Sequence, residues 1–182
     1  TARSPRFICQ LGLSIVNMND EIIETKSFLV QPPNNKIEPI LSGIHGIQAE
    51  DTQSAPDFKS IWSEVEHLFS NTLVAHNSSF DCSVLKENLE YYDLEMPEFD
   101  DCKCTYRIFD RKLNELCAGF GIECTNHHEA GFDAECCAQF YINHLNGIEP
   151  DESLMPEVTH VRRKSRKYNS NSKLAGDILE KD

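Results

Sequence analysis

The sequence predicts an α/β fold, a mixed sheet flanked by helices. Three observations carry that expectation. Two β-branched, largely apolar runs near the start are separated by a turn signal. Two later stretches repeat apolar residues every three or four positions, the spacing of a buried helix face. Between them, a short apolar run breaks abruptly into a polar loop that opens a helix.

Taken in order, Arg6 to Val16 reads as a strand and Glu21 to Val30 as its antiparallel partner, joined through Asn17-Met18-Asn19-Asp20. Pro32-Pro33-Asn34-Asn35 ends the second strand. A short segment, Ile37 to Ile47, follows, in which Ser42 to Ile47 reads as a structured loop bent at Gly43 and Gly46. A helix is expected from about Ala55 to Ser70, with Phe58, Ile61, Trp62, Val65, Leu68 and Phe69 on one face. Leu73 to Asp81 supplies a strand and the start of a helix that continues through Val84, Leu85 and Leu89. Pro97 to Cys102 reads as a short strand, and Lys112 to Phe120 as a helix stopped by Gly121. The last helix runs from Gly131 to Leu145, with Ala134, Cys137, Ala138, Tyr141, Ile142 and Leu145 spaced for burial. Residues 1–148 therefore form one domain, and residues 149–182 a polar, flexible linker or tail carrying a basic run from Arg162 to Lys167.

Composition narrows the function classes. The chain has 182 residues, 40% of them hydrophobic and 26% charged, which supports a packed core. No apolar run is long enough to span a bilayer and no signal peptide opens the sequence, so a membrane partner is not expected and the cytoplasm is the expected compartment. The eight cysteines contain no CxxC pair, which argues for reduced thiols serving as small core residues rather than for structural zinc. Asn77-Ser78-Ser79 matches a glycosylation sequon by chance. The net charge of −13 opposes a broad basic surface for nucleic acid, and the seven basic and seven acidic residues from Glu149 onward leave the whole deficit on the domain. Bound divalent cations at clustered carboxylates would reverse that potential locally.

Two short motifs carry the chemistry. In Leu73 to Asp81 (LVAHNSSFD), a buried edge leads to cap-forming residues and then to Asp81 in the first turn of a helix, at the strand end where open α/β sheets bind ligands. The second is His128-Glu129-Ala130-Gly131-Phe132-Asp133, which sets a titratable imidazole beside another carboxylate at a helix start. Either alone reads as ordinary capping. Together they suggest a site in which carboxylates at helix starts accompany a neutral-pH base.

These two motifs, with His45-Gly46-Ile47, Cys102-Lys103-Cys104-Thr105-Tyr106 and His127 to Ala134, resemble the DEDDh (DnaQ-like) exonucleases, the family of the proofreading epsilon subunit of bacterial DNA polymerase III. The likeness runs in order over most of Thr1 to Leu145. It implies an RNase H-like fold and 3′–5′ release of nucleotides from the 3′ end of a single strand by two Mg²⁺ or Mn²⁺ ions held on four carboxylates. DNA is the favoured substrate, although no motif identifies contacts to a 2′-hydroxyl. By matched motif, Asp81 and Asp133 are metal ligands and His128 is the general base. His76, Asn77 and Phe80 shape the nucleotide site, and Ile47 packs beside the terminal base. The family's other two carboxylates form a D-x-E motif on the central strand, followed by Thr and a small residue. Because the sequence opens Thr1-Ala2, that strand is expected immediately before it, with Thr1 and Ala2 at the substrate, and the chain without it is expected to be inactive. Phe109-Asp110-Arg111 is also shorter than the loop common in relatives. Partners implied are a polymerase or a further C-terminal domain, to which the SKLAGDILEKD tail resembles a linker. The rival readings are a degenerate binding module of the same fold and a cysteine-based zinc or redox protein.

Overall fold

A computed structural model describes residues 6–99, 101–124 and 126–156. Thr1, Ala2 and the Arg162 to Lys167 run lie outside the described residues. Strand β1 (Gln10–Val16) pairs antiparallel with β2 (Ile22–Leu29) across the expected turn, where Asp20 takes a left-handed φ of 60°. Strand β3 (Leu73–Ala75) pairs parallel with β4 (Cys102–Cys104). Among the described residues the two pairs share no strand.

Helices fill the intervals. Asp57 caps α3 (Phe58–Val65), accepting from the Ser60 amide at 2.9 Å, and a 3-10 turn over Glu66–Ser70 follows. The predicted helix is therefore right in kind but starts later and tightens at its end. Its apolar face packs with Val30, Leu85 and Leu89, so the β1–β2 hairpin, α3 and α4 (Ser78–Tyr91) share one core. A second core joins α6 (Leu113–Gly119) to α7 (Ala130–Leu145) through Leu116, Cys117, Cys136 and Phe140.

Four sequence expectations need correction. Ile37 to Ile47 contains a helix, α1 (Pro39–His45), started by Pro39; Gly43 lies inside it, and only Gly46, with φ 78°, makes a bend. A further short helix, α2 (Ala49–Thr52), follows. The strand expected at Pro97 to Cys102 falls on Cys102–Cys104 instead, because it pairs residue for residue with the three residues of β3. The next turn, α5 (Thr105–Phe109), went unpredicted. The last helix buries Cys136, Cys137, Ala138 and Phe140, while Leu145 is exposed, because it meets strands on one side and α6 on another. The polar segment also begins by docking: the Asp151 amide donates to the Gly119 carbonyl at 2.8 Å and Met155 joins the second core. No helix among the described residues is long and apolar enough to cross a membrane.

Helix α7 packs on β1, β2 and β3 and so holds the two strand pairs together. The approach to β1 is close enough to require glycine. A Cβ on Gly12 would lie 1.9 Å from the Ala130 carbonyl oxygen and 2.6 Å from the Gly131 nitrogen, both backbone atoms that move only with the helix. Gly12→Ala should therefore cost about 1–3 kcal/mol in urea unfolding, the range for overpacking. Gly43→Ala, with open space around the new methyl in a helix interior, should instead stabilise by up to ~1 kcal/mol in the same measurement.

Candidate active site

The N-terminus of α7 is fixed from the side by one carboxylate. Glu129 accepts from the Gly131 and Phe132 amides at 3.1 and 2.7 Å, capping the helix. The same group accepts from Ser27 Oγ at 2.5 Å and Gln10 Nε2 at 2.8 Å, while Gln10 Oε1 accepts from the Ala130 amide at 3.1 Å. The hairpin thus grips the helix start, the Ala130 amide directly and the Gly131 and Phe132 amides through Glu129. Burial would raise the Glu129 carboxyl, but the donors from Ser27, Phe132, Gly131 and Gln10 outweigh it and hold the group below its ordinary value.

One turn in, Asp133 is half-buried and points back at the preceding loop. Its carboxylate accepts from the His128 amide at 3.2 Å and lies 3.1 Å from His127 Nδ1. The loop makes this contact by taking His128 through a left-handed φ of 78°. The two imidazoles stack at 3.8 Å between centroids, and donor atoms of His127, His128 and Asp133 all lie within 4.8 Å of one another. His45, at the end of α1, accepts from the Ile47 amide at 3.1 Å. Its pKa is lowered first by burial and then by the charge of His128, which places α1 beside this loop.

The other motif arrives from β3. His76 Nδ1 is 3.0 Å from Thr105 Oγ1, and its ring meets Tyr106 edge-on. Asn77 turns the chain with φ 74° and makes no side-chain cap. Phe80 is exposed beneath the Arg6 guanidinium, 5.1 Å from its centroid. Asp81 has solvent access yet is crowded by protein atoms, and desolvation pushes its carboxyl up to about 6. No described cation offsets that shift.

Electrostatics ties the two halves. Burial lowers the His76 pKa, the Asp133 carboxylate opposes this, and His127 adds to it. Asp81 acts on Cys137, one turn beyond Asp133 in α7. In geometry the two motifs meet through Thr105, whose Oγ1 lies 3.0 Å from His76 Nδ1 and 3.5 Å from Cys137 Sγ, while Asp81 stands outside the His127, His128 and Asp133 donors that lie within 4.8 Å of one another. Ile47 is buried, and its carbonyl accepts from Ser42 Oγ at 2.8 Å. The exposed apolar side chains near it in the sequence are Ile40, Leu41 and Ile44 on α1. Sequence reasoning missed the parts played by His127 and Glu129. The paired histidines were one available signal, and a Glu preceding a helix the other.

The fold and the clustered donor atoms define an α/β domain with a candidate metal site. A family model described as Exonuclease, of RNase T type, matches residues 3–141, and the chain belongs to that family. Among curated proteins it is similar to the PolC-type DNA polymerase III of Bacillus subtilis, 28% identical over 76% of this chain and 11% of that protein. It is also similar to the Bacillus cereus counterpart, 26% identical over 64% of this chain and 9% of that protein. The chain thus spans about a tenth of the length of these relatives. Among solved structures it resembles exonuclease X in complex with 5′-overhanging duplex DNA (TM-score 0.56, 22% identity, 81% of this chain and 88% of that one). A 3′-exonuclease recognising a histone mRNA stem-loop is a second match (TM-score 0.62, 16% identity, 76% and 72% covered). The fold is RNase H-like, as the sequence resemblance implied.

The Glu129 cap makes a stability prediction with a sign. Because the folded carboxyl sits below its ordinary 4.5, its contribution is present above that pH and is lost as pH falls through the folded value. Glu129→Ala should cost about 0.5–2 kcal/mol near neutrality, as for a lost N-cap. Urea midpoints of variant and parent should converge well below pH 4.5. A gap that stays constant with pH sinks the charge-based account.

Proposed function

We propose that the chain is the core of a metal-dependent 3′–5′ exonuclease acting on the 3′ end of a single strand, with DNA favoured and a proofreading or repair role in the cytoplasm. The observation that supports this reading is that the two motifs meet at α7: Thr105 touches both His76 and Cys137, one turn beyond Asp133, and Asp133 accepts from the His128 amide. The donor set fits a divalent cation. Asp81 is a crowded carboxyl that no described residue neutralises, and Asp133 shares its surroundings with two imidazoles. Hard cations such as Mg²⁺ or Mn²⁺ prefer such oxygens. Asp81 and Asp133 would hold the ions, which supply phosphate charge neutralisation and water activation in this class of chemistry.

The remaining roles fall to side chains. His128, exposed on its left-handed turn, accepts the proton of the attacking water. His76, Asn77 and Phe80 line the nucleotide position, and Ile47 sits behind it. Two carboxylates are too few to fix two ions, so activity requires a further D-x-E pair. None of the described strands supplies one. That observation also favours a second reading, a non-cleaving binding module of the same fold. The PolC-type relatives support a polymerase as partner.

Labelled single strands incubated with the full-length protein distinguish the two readings. Mononucleotides should be released from the 3′ end with Mg²⁺ or Mn²⁺ and not after chelation. Asp133→Asn should abolish release, and His128→Ala should slow it by about 10²- to 10⁴-fold. Strand binding without any metal-dependent cleavage selects the binding module.

A further inference from the structure

A polyanionic strand must be held by positive charge, and this domain has little to spare. Among the described lysines and arginines, Arg6, Lys26, Lys36, Lys86, Lys103 and Arg111 are each engaged by a carboxylate. Arg6 is the tightest case: it rests over Phe80, but its guanidinium and backbone amide are both bound to Glu87. Arg107 is different. It extends from α5, and its contact is a 2.9 Å hydrogen bond from Nη2 to Ser79 Oγ. No carboxylate lies within ion-pair reach of it among the described residues. Ser79 is two residues before Asp81, in the first turn of α4.

The surroundings suit a strand rather than a bare ion. Tyr106, adjacent to Arg107, is 42% exposed with its ring against His76, and Phe80, adjacent to Ser79, is 53% exposed. Exposed rings on the chain neighbours of a guanidinium in no ion pair and of its Ser79 partner are the elements of a single-strand platform, on which bases stack and phosphates are held by charge. A hydroxyl is a weak partner for a guanidinium and is readily exchanged for a phosphate, which meets the planar fork with two charge-assisted bonds.

From this geometry, and resting on the exonuclease reading above, we propose that Arg107 is a strand-positioning residue. It binds a backbone phosphate of the single strand beside the Asn77–Asp81 turn, outside the reacting bond, and exchanges its Ser79 contact to do so. Its loss weakens strand binding uniformly across sequences, because a phosphate carries no base identity.

Salt-dependent binding tests this. In the full-length protein carrying Asp133→Asn, dissociation constants for a fluorescent single-stranded oligonucleotide are measured across a salt series. Arg107→Ala should weaken binding severalfold and flatten the slope of log K against log salt by about 0.7, the contribution of one phosphate contact on a single strand. Arg107→Lys should restore the slope. Lys59→Ala, on α3 and in no ion pair among the described residues, should leave affinity and slope unchanged. Parent-like slope in Arg107→Ala, with the strand still bound, overturns the assignment to Arg107 and leaves the nuclease reading standing. Failure of the parent itself to bind any strand overturns that reading and the proposal with it.

Discussion

Everything in the candidate site depends on how helix α7 meets the β1–β2 hairpin, and that meeting is made by the Glu129 carboxylate over the gap left by Gly12. Four donors converge on one half-buried carboxylate: two helix amides and the side chains of Ser27 and Gln10. Helix starts leave amides without intrahelical partners and carry partial positive charge, so an anion held there by the neighbouring strands satisfies both at once. A water-capped helix would be equally helical, but its rotation and height over the strands would be set by apolar packing alone. With Glu129 in place, Asp133 occupies a fixed position in the first turn, and the His127–His128 loop is pulled down onto it. Gly12 is the complementary half of this constraint, since the bonds form only if the backbones approach closely.

The two apolar cores explain why this one contact matters so much. The hairpin belongs to a core with α3 and α4, which carries Asp81. Helix α7 also belongs to a core with α6, built from Leu116, Cys117, Cys136 and Phe140. Asp81 and Asp133 are therefore mounted on different packing units. Their relative placement is decided where the units join, at the α7–hairpin crossing and at the contact of α7 with β3. A shift there would separate the carboxylates without unfolding either core.

What the sequence revealed follows from the range of each interaction. The hairpin, the apolar face of α3, the stop at Gly121 and the Asp81 and His128–Asp133 motifs are written locally, in side-chain period and in residues with strong turn or cap preferences. Features set by distant partners were not legible. The position of β4 follows from β3, twenty-nine residues earlier in register, and not from its own composition. The buried face of α7 contacts strands and α6 together, so no single stripe describes it. The Ile37 to Ile47 helix was hidden by two glycines, only one of which needs a positive φ. Glu129 looked like an intervening residue because its partners, Gln10 and Ser27, lie more than a hundred positions away.

On the exonuclease reading proposed above, an acidic domain that binds a polyanion must solve an electrostatic problem at short range. With a net charge of −13, the long-range field opposes approach of a strand, although salt screens it beyond roughly 8 Å. Binding therefore cannot rest on steering by a broad basic face and has to be concentrated where charge is reversed locally. The raised Asp81 carboxyl marks one such place, since a desolvated acid group with no described cation beside it is relieved by one. Most described basic side chains, by contrast, are spent on carboxylates of the domain itself and contribute little net potential outward. A guanidinium that escapes this pairing beside the Asn77–Asp81 turn consequently weighs more than one on a basic protein would. It acts within a few ångströms, where neither the net charge nor the ionic atmosphere cancels it.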